Sequence, residues 1–132
     1  MKLGALLTVN SLLAFAFGIG FVVAPAQVLA PYGVELSVPG LFMSRLFGSS
    51  LIGYGVVTWL LRQSTEAASL RAVAIGLVAS DVVGGAIAAW GVLSGNINAL
   101  GWTTVAIYAG LAGAFGYYLV QSPAAAAAGA TH

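Results

Sequence analysis

Two charged residues, Arg45 and Asp81, fall inside long apolar stretches of this chain. An ionised side chain in hydrocarbon costs at least a few kcal/mol unless it is paired or reaches water. A guanidinium and a carboxylate can satisfy each other through a forked pair of charge-assisted hydrogen bonds. The expected arrangement is therefore an Arg45–Asp81 pair joining two neighbouring crossings. Its chemistry would be either structural, fixing one helix on the next, or functional. In the functional case Arg45 holds a polar or anionic head, such as a quinone carbonyl or a lipid phosphate, while Asp81 orients it or accepts a proton. Asn10, Tyr54 and Tyr108 lie within roughly 7 Å of the membrane midplane at about 1.5 Å rise per residue. They complete a polar cluster to which each crossing contributes.

The elements that must carry these residues follow from length. Spanning a hydrocarbon core of about 30 Å takes about 20 mainly apolar residues. Four stretches qualify, at about residues 3–23, 39–61, 70–93 and 99–120. None alternates apolar with polar residues as a barrel strand would. The expected fold is all-α, a four-transmembrane-helix antiparallel bundle in a single domain over residues 1–122, with an Ala-rich tail at 123–132. Pro25, Pro31, Gly33 and Glu35 mark the first connection, and Pro39 suits the first turn of the second helix. The polar run from Arg62 to Ser69 makes the second connection, and Ser94 to Asn98 the third. Lys2, Arg62 and Arg71 are the basic residues near span ends, which places both termini and the second connection in the cytoplasm. Ala24-Pro25-Ala26 imitates a signal cleavage site, but the preceding apolar run is about 21 residues where a signal core has about 7–15. It is read as the first helix. No internal repeat is evident.

Helices associate in lipid through close backbone approach, so small residues mark seams. Gly76, Ser80, Gly84 and Ala88 recur every four residues in the third span, and Ala106, Gly110 and Ala114 in the fourth. Ala14 and Gly18 mark the first span, and Gly48, Ser49, Gly53 and Gly55 the second. Tyr32, Trp59, Trp90, Trp102, Tyr117 and Tyr118 fall near span ends, where a headgroup belt keeps one ring edge wet.

Composition removes much other chemistry. With 61% hydrophobic and 5% charged residues in 132, the chain lies far from soluble domains. There is no basic patch for nucleic acid. No cysteine and a single histidine, His132, leave no disulfide, no Cys/His metal centre and no histidine pair for haem. No lysine lies within a span to form a retinal Schiff base. A small multidrug-type transporter would place a glutamate in the first helix, where only Asn10 stands.

The loop Ala24-Pro25 with Ala30-Pro31-Tyr32-Gly33-Val34-Glu35, followed by Arg45-Leu46-Phe47-Gly48 and Gly53-Tyr54-Gly55, resembles small bacterial four-helix proteins of the DoxX-like superfamily. The resemblance implies a membrane bundle and, for a few members, association with quinone-linked oxidoreductase complexes. By position it transfers Arg45 alone. The expected function is a non-enzymatic accessory or structural subunit of the bacterial inner membrane, packed in a larger complex or a homo-oligomer. The alternative is a quinone- or lipid-binding protein using Arg45 and Asp81, and a small transporter ranks below both.

Overall fold

The computed structural model describes residues 2–121. The Ala-rich tail at 123–132 lies outside the described residues. In chain order the elements are α1 (Leu3–Val23), α2 (Pro25–Leu29) leading into a 3-10 turn (Ala30–Tyr32), α3 (Val38–Leu61), α4 (Ala67–Leu93) and α5 (Gly101–Gln121). The four long helices are each long and apolar enough to cross a bilayer, and the chain is a multi-pass, all-helical membrane protein.

Local chemistry sets the boundaries. Pro25 has no N–H to continue α1 and opens α2 at a position where that absence is harmless. The sequence reading took residues 24–38 as loop, and α2 is the difference. Ser37 caps α3, its Oγ accepting from the Gly40 N–H at 3.3 Å. Gly95, with φ of 77°, ends α4. Its N–H reaches the Val92 carbonyl and the Asn96 N–H reaches that of Gly91, a left-handed glycine stop.

The helices pack as two pairs, α1 along α3 and α4 along α5, with α1 also touching α5. In the first pair a Cβ on Gly48 would sit 2.7 Å from the Gly18 carbonyl oxygen, so glycine is required for that approach. Ser11 and Thr58, both buried, share a hydrogen bond of 2.8 Å across the same interface. In the second pair the Tyr108 ring covers Gly84, where a Cβ would come within 2.7 Å of it. The pairs are joined at the Arg62 end of the bundle by a buried core of Leu6, Leu7, Ala74, Leu77 and Phe115.

Two expectations are corrected. The second and third crossings, α3 and α4, follow one another in sequence but share no extended interface. The four-residue stripes also do not act as continuous seams. Gly48 and Gly84 sit at close approaches, whereas Gly76 and Gly110 have no neighbouring atom within 4 Å, nor do Gly53, Gly113 and Gly116. Ala88 is half-buried and Ser80 exposed. The physical reason is that helices which cross and diverge use only the part of a stripe near the crossing.

Candidate functional site

Toward the Tyr32 end the two pairs separate around a cavity of about 440 Å³. Each long helix lends it one face at helical spacing. From α1 come Asn10, Leu13, Ala14, Phe17 and Phe21, and from α3 come Phe47, Ser50, Leu51 and Tyr54. From α4 come Ser80 and Asp81, and from α5 Thr104, Ile107, Tyr108 and Leu111. Val28 and Leu29 of α2, with Tyr32, roof it. The walls are apolar and aromatic, and Phe21 packs edge-on against Phe47 with ring centroids 5.3 Å apart.

Four of the five residues singled out from the sequence meet here: Asn10, Tyr54, Asp81 and Tyr108. The Tyr54 hydroxyl donates to Asn10 Oδ1 at 3.2 Å, which fixes the amide. Asn10 and Asp81 are each 3% exposed. Asn10 Nδ2 and Asp81 Oδ2 nevertheless have no hydrogen-bond partner among the described residues. Buried polar atoms without partners are costly, more so in a membrane-spanning segment than in water.

Arg45 is the exception, and the expected Arg45–Asp81 pair is not formed. The Arg45 side chain is exposed, does not line the cavity, and donates from Nε to the Val22 carbonyl at 3.3 Å. The competing physics is local. Val22 lies in the last turn of α1, whose terminal carbonyls lack helical donors, and a cation there also meets the negative end of the helix dipole. A long basic side chain extends toward the end of the bundle more readily than toward its middle. The remaining arginines are also away from the cavity. Arg62 donates to the Trp59 carbonyl at 2.6 Å and lies over the Trp59 ring.

The sequence reading missed the roof. Tyr32, assigned to an aromatic belt, closes the cavity instead. Thr104 Oγ1 donates to its hydroxyl at 3.2 Å. Asn98 donates from its backbone N–H to the Tyr32 carbonyl and from Nδ2 to the Pro31 carbonyl, both at 2.9 Å. The aromatic walls carried a usable signal, since Phe17 and Phe21 continue the face of Asn10 and Ala14. Tyr118, also assigned to the belt, packs against the core. Trp90, Trp102 and Tyr117 are exposed.

The cavity is suited to an amphipathic molecule. Asn10 Nδ2 offers a donor, and the Asp81 carboxyl an acceptor when ionised or a second donor when protonated. A hydroxyl head satisfies the first combination and a carbonyl the second. Among the described residues no group of three or more His, Cys, Asp or Glu is placed to hold a metal ion. Comparison with protein-family models, curated proteins and solved structures finds no match to this chain. The fold gives the class, a multi-pass helical membrane protein.

Proposed function

We propose that this chain is a non-enzymatic membrane protein that binds a bilayer-soluble molecule with an oxygen-bearing head, a quinone or a lipid. The single observation that carries the reading is that Asn10 and Asp81, two buried polar residues each with an atom that has no hydrogen-bond partner among the described residues, both line a cavity whose surface is mostly apolar. Pockets for small organic ligands have this character, a mostly apolar surface with a few convergent polar groups. Of the possible occupants, a quinone is the one that the resemblance to DoxX-like proteins favours. The same resemblance supports a place in a bacterial inner membrane, with both termini cytoplasmic by the distribution of Lys2, Arg62 and Arg71.

The accessory-subunit reading has its own support. Gly110, Gly113 and Gly116 present open small-residue surface to whatever lies outside the bundle, which suits helix packing against a larger complex or a second copy. The two readings are compatible, because the ligand site is internal and that surface external.

The test is to extract wild-type protein, Asp81→Leu and Asn10→Leu into nanodiscs of native lipid and quantify bound quinone and lipid by mass spectrometry. Loss of one hydrogen bond to a buried head should lower retained ligand by about tenfold, the equivalent of roughly 1.4 kcal/mol. Equal ligand content in all three proteins would end the proposal.

A further inference from the structure

We infer that the cavity is filled sideways from the lipid phase, through the seam between α3 and α4. Its occupant would then be a molecule dissolved in the bilayer and not one delivered from water. The inference rests on the binding reading above and adds the source and route of the ligand.

Both ends of the bundle and the seams within each helix pair are held by named contacts. At the Arg62 end Phe115 and Leu7 fill the centre, both essentially without exposure. The α1–α3 seam is held by the Gly18–Gly48 approach and the Ser11–Thr58 bond. The α4–α5 seam is closed by Tyr108 over Gly84. At the Tyr32 end, entry from water would have to break the bonds that Asn98 and Thr104 make to Pro31 and Tyr32.

No comparable contact closes α3 against α4. Between them lies a second hollow of about 330 Å³, bordered by Val57, Thr58, Val73 and Gly76 and sharing Tyr54 and Ser80 with the main cavity. Gly76 has open space where a side chain would stand. The shared residues make the two hollows neighbours on one path. Ser80, exposed and adjacent to Asp81 in sequence, gives a polar head a hydrogen-bonding group between the acyl chains and the carboxyl. A head that would otherwise cross the seam unsatisfied gains a partner there. The aromatic walls then receive the apolar part.

The experiment uses the full chain in nanodiscs carrying a long-chain alcohol with a photoactivated diazirine, added to the lipid. The readout is the rate of labelling at cavity residues, mapped by mass spectrometry. Gly76→Phe plugs the seam where space is available, and Gly110→Phe, on an equally open position away from both hollows, controls for added bulk. Asn98→Ala loosens the roof. Wild-type protein should label on the cavity walls, Gly76→Phe about tenfold more slowly, a modest rise in an entry barrier, and Gly110→Phe and Asn98→Ala at the wild-type rate. Wild-type labelling in Gly76→Phe, or acceleration by Asn98→Ala, would overturn the lateral route while leaving the site intact. Absence of cavity labelling in every protein, wild type included, would instead remove the binding reading and this inference with it.

Discussion

The two ends of the bundle are built from the same four helices and nearly the same apolar composition, yet one is filled and the other hollow. At the Arg62 end, Leu6, Leu7, Ala74 and Leu77 close around Phe115. At the Tyr32 end, Phe17, Phe21, Phe47 and Tyr54 stand around a space of about 440 Å³. Side-chain size does not explain the difference, because the hollow end carries more aromatic rings. What differs is where each pair of helices makes its close approach. The α1–α3 pair is drawn together by glycines and the α4–α5 pair by Tyr108 on Gly84, and the long helices of the two pairs pack on one another in the Leu7–Phe115 region. A membrane protein can hold such a hollow because lipid exerts little drive to squeeze apolar surfaces together.

The comparison can be broken most forcefully at the filled end. Phe115→Ala removes the fully buried ring of that core and should lower stability by about 3–5 kcal/mol, read as a shifted midpoint in SDS-induced unfolding. Leu13→Ala, on the wall of the existing cavity, should cost less than about 1 kcal/mol because no new void is enclosed. Equal losses for the two would mean that the hollow end is packed in the bilayer.

A second contrast concerns the seams. Gly48→Leu forces a side chain against the Gly18 backbone and should destabilise by about 1–3 kcal/mol. Gly110→Leu enters open space and should leave the unfolding midpoint of the isolated protein within about 0.5 kcal/mol of wild type. A large loss from Gly110→Leu would reveal a partner on that face.

The unpartnered carboxyl gives an effect of opposite sign. If Asp81 fixed α3 to α4, its loss would destabilise. As a group kept for ligand, it burdens the empty protein, so Asp81→Leu should raise stability by about 1 kcal/mol and abolish ligand retention together. A destabilised Asp81→Leu would return the residue to a structural role.

Much of this was legible in the sequence, and the failures share one cause. Asn10, Tyr54, Asp81 and Tyr108 were identifiable because polar groups near the middle of apolar crossings have to face inward. The four spans followed from length alone. What length and spacing do not encode is which helices pair. Adjacency in sequence makes consecutive crossings the expected neighbours and so pairs Arg45 on α3 with Asp81 on α4, whereas Arg45 serves the end of α1. The α2 roof was missed because Pro25, Pro31 and Gly33 read as breakers, although Pro25 also favours the first turn of a helix.

The smallest expected effect bears most directly on that error. Arg45 donates to Val22 at the end of α1, where Pro25 already deprives the preceding carbonyl of a helical donor. Arg45→Leu should therefore cost about 0.5 kcal/mol, the scale of a cation at an exposed helix C-terminus, and Arg45→Lys should recover part of it. Neither should alter ligand retention, because the side chain stands outside the cavity wall. SDS unfolding and ligand quantification on the same samples separate the possibilities. If Arg45→Leu emptied the cavity as Asp81→Leu is expected to, the guanidinium would have to swing inward when ligand binds, and the end of α1 would be only its resting place.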